Sequence, residues 1–343
     1  VTQRARAFSS LPRRVSIYEV GARDGLQNEK TILSPAARGA FVSMLSHTGV
    51  SSVEAASFVS PKLVPQMAGG TEVMSSICDE APGVDFPVLV PNLRGFDDAV
   101  KAGAHTVAVM TAASETFSEK NVNSTLQQQI ERANAIIAEA SRQGLSSRGY
   151  ISCSLGCPFE GPIAPTAVAS IARALYEAGC EEIVLSDTIG TGTPGDMSAL
   201  LAETLPHVPV ENLAVHCHDT YGQALANILC ALQHGVATID SSVAGLGGCP
   251  FAGPGASGNV ATEDVVYMLH GLGIETGVDF DRVCQAGAFI VEALGRSNAS
   301  KAGLASLRRR PKSTTNASSA TTERSSSSPD ACFDRRPAAV ETA

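Results

Sequence analysis

The chain has 343 residues, of which 44% are hydrophobic, and its 34 acidic and 25 basic side chains give a formal net charge of -9. This length accommodates one large domain or two of ordinary size. The negative charge argues against binding of DNA or RNA, which requires a basic surface. No stretch of sequence approaches the roughly 18 consecutive apolar residues that span a bilayer. We therefore expect a soluble protein that binds neither nucleic acid nor membrane.

Two features of the sequence bear on the cellular compartment. The nine cysteines are an odd number and follow no apolar signal segment, which is typical of reduced thiols in the cytosol or mitochondrial matrix. Residues 1–14 contain four arginines, two serines and no acid. That composition fits the end of a mitochondrial transit peptide, and equally a basic N-terminal segment without a targeting role.

The composition changes again near the C-terminus. Segment 306–343 is rich in Ser, Thr, Ala and Pro and contains a single aromatic residue, Phe333. It has too little apolar surface to offset the entropy lost on ordering, so we expect a disordered tail. The run Arg308-Arg309-Arg310 is typical of a solvated tail, and the alternative is a nucleic-acid or sorting signal.

Between these ends, short apolar segments rich in β-branched residues alternate with helix-like segments. The predicted strands are 15–20, 52–55, 87–90, 106–110, 149–154, 182–186, 213–218 and 238–243. Apolar residues at three- and four-residue spacing predict helices at 35–47, 124–143, 165–178 and 224–234. Glycines that favour the left-handed conformation at a helix end precede several strands: Gly49, Gly103, Gly179 and Gly235.

Eight strands alternating with helices predict a (β/α)8 TIM barrel over residues 15–295. A doubly wound open sheet is the alternative. In a (β/α)8 barrel, catalytic groups lie where the strands end and the βα loops begin. Polar residues at the predicted strand ends are therefore the candidates for chemistry.

Three predicted strands end close to an acid. Arg23-Asp24 follows the first strand in a glycine-flanked loop, where the pair either holds an anionic oxygen beside a metal ligand or forms a surface ion pair. Glu54 ends the second strand and is either inward and functional or part of a frayed end. Asp187 ends the sixth strand and is either catalytic or caps the following turn.

The seventh strand ends in His216-Cys217-His218-Asp219. Because side chains alternate along a strand, both imidazoles face the same side. Together with Asp24 on a neighbouring loop they indicate a divalent-metal site. A His-x-His pair within a strand is more often structural, but its position at the end of a barrel strand favours the metal. The remaining five histidines receive no role.

The eighth strand leads into a glycine-rich loop, residues 244–259, whose spacing matches neither phosphate-binding glycine pattern. Cys249 lies in this loop, at the presumed active face, and is a candidate acid, base or redox-sensitive thiol. Cys153 and Cys157 have no second cysteine pair at metal-binding spacing, so we expect them to be structural or substrate-lining.

Five segments resemble the hydroxymethylglutaryl-CoA lyase family. They are Glu-Val-Gly-Ala-Arg-Asp-Gly-Leu-Gln-Asn-Glu at 19–29, Ser-Phe-Val-Ser-Pro-Lys at 57–62, Leu-Gly-Cys-Pro-Phe-Glu-Gly at 155–161, Ala-Val-His-Cys-His-Asp-Thr-Tyr-Gly-Gln-Ala-Leu-Ala-Asn at 214–227, and Gly-Leu-Gly-Gly-Cys-Pro at 245–250. The resemblance implies a metal-dependent TIM-barrel lyase that cleaves 3-hydroxy-3-methylglutaryl-CoA to acetyl-CoA and acetoacetate with Mg2+ or Mn2+, as in leucine degradation and ketogenesis.

The resemblance also implies roles for individual residues. The metal ligands would be Asp24, His216, His218 and Asn259. Arg23 would steady the thioester oxygen as it becomes an enolate, Cys249 and His216 would move protons, and Glu54 and Asp187 would support them. Gln27 and Lys30, in the Arg23 loop, would contact the acyl-CoA.

Two alternatives to the lyase are a condensing enzyme of the same superfamily, similar to isopropylmalate or homocitrate synthase, and a non-catalytic barrel scaffold. Condensing enzymes usually carry extra C-terminal domains, and the tail after Ser306 is too polar and short for one. A scaffold would have lost metal and proton-transfer positions that are all present here.

We expect a homodimer in the mitochondrial matrix, with the cytoplasm as the alternative for a bacterial chain. Gly253-Pro254-Gly255 makes the cysteine loop one residue longer than the family pattern.

Overall fold

The computed structural model describes residues 11–77, 81, 83–248 and 257–309. Three segments for which predictions were made lie outside these ranges. The segments are most of the basic N-terminal segment, the tail from residue 310, and the central part of the glycine-rich loop, which contains Cys249 and the extra residue of the loop.

The strands of the described ranges form one parallel sheet. They are β1 Ser16–Glu19, β2 Ser52–Val53, β3 Ala56–Ser57, β4 Val88–Leu89, β5 Thr106–Ala112, β6 Ser146–Ser152, β7 Glu182–Asp187, β8 Leu213–Cys217 and β9 Thr238–Ser241. Their order in the sheet is β2-β1-β9-β8-β7-β6-β5-β4-β3.

The sheet closes on itself because β2 and β3 are two halves of one barrel strand. β2 pairs with β1, whereas β3 pairs with β4. At the junction, the backbone N–H of Glu54 donates to the carbonyl of Glu19, and that of Ala55 donates to the carbonyl of Pro87, both at 2.9 Å. The predicted (β/α)8 barrel is confirmed, and the open-sheet alternative is excluded.

The helices of the same ranges are α1 Pro35–Ser46, α2 Gly70–Ile77, α3 Leu93–Lys101, α4 Glu115–Val122, α5 Leu126–Gln143, α6 Pro165–Glu177, α7 Pro194–Thr204, α8 Ala224–Gln233, α9 Thr262–Leu272, α10 Phe280–Leu294 and α11 Lys301–Arg309. The four predicted helices are confirmed as α1, α5, α6 and α8. The tail predicted from residue 306 begins inside α11. None of the described helices is long and apolar enough to cross a membrane.

The buried apolar residues form a large core between sheet and helices, a small cluster inside the barrel, and a third cluster of Ala112, Phe117, Cys153 and Cys157. The inner cluster contains Leu89, Ala108, Tyr150, Val184 and Ala214. β6 starts at Ser146, whereas the sequence pattern predicted residue 149. The pattern missed the start of the strand because the charged Arg148 interrupts the apolar residues there. In the structure Arg148 is only 2% exposed, so the barrel interior also holds charged side chains.

Candidate active site

Arg23 and Asp24 lie in a π-helical turn, Gly21–Gly25, directly after β1. Such turns are rare in proteins, and those that occur are often at functional sites. Two close contacts explain the flanking glycines. A Cβ on Gly21 would lie 2.6 Å from Oε1 of Glu19, and one on Gly25 would lie 2.8 Å from Oγ of Ser242. The turn therefore packs closely around both glycines, and a side chain at either position would have to displace Glu19 or Ser242.

The guanidinium of Arg23 is buried between two carboxylates. Its Nη1 lies 2.9 Å from Oδ1 of Asp24, and its Nη2 lies 2.7 Å from Oε2 of Glu54. Burial raises the pKa of Glu54, an effect that Arg23 opposes. Nε of Arg23 has no hydrogen-bond partner among the described residues. Glu54 is therefore inward rather than part of a frayed end, and it contacts Arg23, a partner that the sequence did not indicate.

Asp24, His216 and His218 converge at the end of the barrel. One ligand atom from each lies within 4.8 Å of the other two, and Nε2 of His216 lies 4.0 Å from Oδ2 of Asp24. Burial alone raises the pKa of Asp24, but Arg23 and the two histidines lower it to about 2. Burial and the neighbouring His216 lower the pKa of His218 to about 4. An ionised carboxylate and a neutral imidazole are the protonation states that bind a metal.

Asn259 completes the predicted ligand set. It forms a β-bridge with His218, and its Nδ2 donates to Oδ2 of Asp24 at 2.8 Å and to the carbonyl of Leu246 at 3.0 Å. The amide oxygen is therefore on the side of the His218 imidazole, and its interaction with that ring opposes the lowering of the pKa of His218. Nδ1 of His218 is buried without a hydrogen-bond partner in the described part of the chain. One carboxylate oxygen, one amide oxygen and two imidazoles fit a divalent cation.

Asp187 lies at the end of β7 and makes the contacts of the turn-capping alternative. Its Oδ1 accepts from the backbone N–H of Thr191 at 3.2 Å, and its Oδ2 accepts from that of Gly192 at 3.0 Å. Burial raises the pKa of Asp187 to about 6. Asp187 therefore hydrogen-bonds to the loop that follows β7, the strand that pairs with the strand of His216, β8.

The predicted substrate-contacting residues lie at the rim of the barrel. Gln27 is half-buried and Lys30 is exposed. Between them, Nδ2 of Asn28 donates to the carbonyl of Gly248 at 2.7 Å. The Arg23 loop therefore contacts the glycine-rich segment immediately before Cys249, which itself lies outside the described residues.

Sequence reasoning missed three buried residues beneath the site. Asp240 on β9 accepts a hydrogen bond at Oδ2 from Arg148 and lies 3.1 Å from Nδ1 of His216. The hydroxyl of Tyr150 accepts from Arg148 at 2.7 Å and donates to Glu54 at 3.4 Å. A charged residue within or just before a predicted strand was the available signal, since Asp240 and Arg148 both interrupt apolar segments.

A sequence model described as HMGL-like matches residues 14–290 of the chain. The chain belongs to this family. The relatives include the mitochondrial hydroxymethylglutaryl-CoA lyase of Pongo abelii, which is 55% identical over 88% of this chain and 92% of its own length. The cytoplasmic 3-hydroxy-3-methylglutaryl-CoA lyase of Danio rerio is 54% identical over 87% of this chain and 89% of its own.

A solved structure of a lyase family member agrees with the fold. The crystal structure of hydroxymethylglutaryl-CoA lyase from Pseudomonas aeruginosa superposes with a TM-score of 0.85 at 50% identity, covering 87% of this chain and 99% of that one. The resemblance deduced from the motifs is confirmed, and with it the prediction of a lyase. Relatives of this HMGL-like enzyme are named for two compartments, the mitochondrion and the cytoplasm.

Proposed function

We propose that the enzyme cleaves 3-hydroxy-3-methylglutaryl-CoA to acetyl-CoA and acetoacetate with the aid of Mg2+ or Mn2+. The observation that carries this proposal is the convergence of Asp24, His216 and His218 directly beside the buried guanidinium of Arg23. Relatives that are 54–55% identical over most of both chains bear the name of this activity.

The reaction breaks a carbon–carbon bond next to a tertiary alcohol. The hydroxyl loses its proton and becomes the ketone of acetoacetate, while the bonding electron pair moves to the acetyl-CoA fragment as a thioester enolate. A divalent cation held by Asp24, His216, His218 and Asn259 would supply a Lewis acid that lowers the pKa of the hydroxyl. The two oxygen ligands, with oxygens of substrate or water completing an octahedron, favour Mg2+ or Mn2+, and Zn2+ is the competing cation because of the two imidazoles.

Arg23 is suited to stabilise the enolate oxygen. Its two ion pairs hold the guanidinium in one orientation, so no reorganisation is needed when negative charge develops. A fixed donor in a buried site contributes more than one in water, and it contributes most in the transition state. We assign to Glu54 the role of fixing this donor.

Proton transfer needs a base for the hydroxyl and an acid for the enolate carbon. The family resemblance implies His216 and Cys249 for these steps, and we assign proton transfer chiefly to Cys249. The contacts of His216 limit its role in proton transfer, because Nδ1 lies against Asp240 and Nε2 faces Asp24. Nε2 cannot bind a metal and accept a proton at the same time, so we propose ligation as its main role.

The decisive experiment is acetoacetate release from 3-hydroxy-3-methylglutaryl-CoA by purified enzyme, with and without chelator. We expect release that stops in EDTA and returns with Mg2+ or Mn2+. The same preparation is offered acetyl-CoA plus a 2-keto acid. Condensation of acetyl-CoA with the 2-keto acid, without release of acetoacetate in the first assay, would show that the enzyme is the synthase alternative.

We further propose that the enzyme works in the mitochondrial matrix as a homodimer. The acid-free, arginine-containing segment 1–14 and the mitochondrial relatives support the compartment. Recovery of the protein outside mitochondria on fractionation of the source cell would contradict it. Light scattering of the purified enzyme tests the dimer, which a monomer mass would exclude.

A further inference from the structure

A line of charged side chains, buried except for the half-buried Glu182 at one end, runs through the barrel beneath the candidate metal site. Glu182 on β7 contacts Nε of Arg148 on β6, Arg148 contacts Asp240 on β9, and Asp240 contacts His216 on β8. Arg148, Asp240 and His216 are 2%, 1% and 6% exposed. Buried ion pairs are costly to desolvate, so this connection to His216 calls for a functional explanation.

Asp240 is held in place by a two-pronged contact. Nη1 of Arg148 donates to Oδ2 at 3.0 Å, and Nη2 donates to Oδ1. Such bidentate pairs fix the plane of the carboxylate as well as its position. The ring of Tyr18 lies 3.6 Å from the guanidinium carbon of Arg148 and limits its movement further.

The fixed carboxylate determines which nitrogen of His216 carries hydrogen. An ionised carboxylate only accepts hydrogen bonds, so Nδ1 of His216, 3.1 Å from Oδ2 of Asp240, must be the donor. The neutral ring then has its lone pair on Nε2, the atom that faces Asp24 at 4.0 Å. Tyr150 packs edge-on against the same ring, with centroids 6.0 Å apart.

We propose that Asp240, oriented by Arg148, is a positioning residue that fixes the tautomer and ring orientation of His216 for a divalent cation. The inference rests on the proposed metal-dependent function. The two histidines differ in this respect, because Nδ1 of His218 has no hydrogen-bond partner within the described ranges. His216 is thus the pre-oriented ligand of the pair.

Asp240→Asn tests the proposal with almost no change of shape. The amide has one oxygen and one NH2 group, while Arg148 can only donate. Both carboxylate oxygens accept from Arg148, so an NH2 group at either position opposes an Arg148 N–H and breaks the two-pronged contact. When the NH2 group takes the Oδ2 position, Nδ1 of His216 must accept, the ring hydrogen moves to Nε2 and the metal-binding atom is blocked. Glu182→Gln is the matched control, since it alters another carboxylate partner of the same arginine that is not in contact with His216.

The first measurement is the tautomer of His216 in metal-free enzyme labelled with 15N-histidine, in alkaline buffer where neutral imidazole predominates. Two-bond 1H–15N correlations distinguish the nitrogens, and His216→Gln identifies the signal. We expect hydrogen on Nδ1 alone in the wild type and in Glu182→Gln, and a mixture with hydrogen on Nε2 in Asp240→Asn. Hydrogen on Nε2 in the wild type overturns the proposal, even if the Asp240 variant does not fold.

The second measurement is Mn2+ affinity by electron paramagnetic resonance. Loss of an outer partner of a metal-binding histidine typically weakens affinity about 10- to 100-fold, which we expect for Asp240→Asn, with little change in Glu182→Gln. Unchanged affinity in Asp240→Asn overturns the proposal. Failure of the wild type to bind Mn2+ or Mg2+ contradicts the proposed function instead, and the tautomer measurement separates the two outcomes.

Discussion

Asn259 donates its side-chain amide hydrogen to Oδ2 of Asp24 across 2.8 Å, although 235 positions separate the two residues in the chain. The contact joins the turn after β1 to the far end of the glycine-rich loop. It also orients the amide, since its nitrogen is occupied by Asp24 and by the carbonyl of Leu246. The side chains of Asp24 and Asn259, two of the proposed metal ligands, are therefore adjacent without a cation.

Loss of Asp24 is expected to weaken metal binding and turnover together. Asp24→Asn keeps the shape of the side chain but removes the negative charge that attracts the cation. We expect Mn2+ affinity to fall by at least about 10-fold, with acetoacetate release falling in parallel. His270→Ala, at an exposed position on α9, is the control and should bind normally. Full activity of the wild type in EDTA would contradict the metal role.

Arg23→Gln is expected to lower kcat by about 100- to 1,000-fold with little change in KM, because the lost interaction is made with the developing enolate. Stability should also fall, by about 3–5 kcal/mol, since Glu54 loses its buried partner. The double variant Arg23→Gln/Glu54→Gln separates these effects. It should recover stability in urea unfolding but not turnover. A normal kcat with raised KM would reassign Arg23 to substrate binding.

Cys249 is expected to be the thiol whose modification inactivates the enzyme. The six cysteines at described positions are buried: Cys153, Cys157, Cys180, Cys217, Cys230 and Cys284. We expect alkylation to abolish turnover, substrate to slow the inactivation, and Cys249→Ser to resist the reagent with much reduced kcat. Cys78→Ser and Cys332→Ser are the controls. Near-normal turnover in Cys249→Ser would show that the lengthened loop has removed this thiol from the chemistry.

Glu263 should make stability depend on pH. Its two oxygens accept from the N–H of Ala244 at 2.9 and 3.1 Å, and burial raises its pKa from 4.5 to about 8. The folded state therefore binds this proton more tightly than the unfolded chain. The resulting stabilisation is full below pH 4.5 and is lost as pH rises through about 8.

Glu263→Gln cannot ionise, which isolates this contribution from that of Glu19, whose pKa burial raises to about 7. Urea unfolding of both proteins between about pH 5 and 9 tests the point. We expect the wild type to lose stability relative to the variant as pH rises. Parallel stability curves would show that Glu263 does not titrate in this range.

Much of the barrel was determined by local sequence patterns. Strand and helix periodicity depend on residues a few positions apart, which is why eight barrel strands and helices α1, α5, α6 and α8 were predictable. The alternation of side chains in a strand likewise placed His216 and His218 on one face. The identity of the catalytic loops came from motifs of 6 to 14 consecutive residues, where the family resemblance is strongest.

The tertiary structure decided which distant groups meet. Barrel closure divides the second strand between two neighbours and so brings Glu54 against Arg23. The same closure places Arg148 against Asp240, 92 positions along the chain, and gives His216 a carboxylate partner. The sequence showed these charges only as interruptions of apolar segments. Their pairing depends on strand order and register around the ring, because a buried charge is tolerated only where a partner from another strand arrives at the same height.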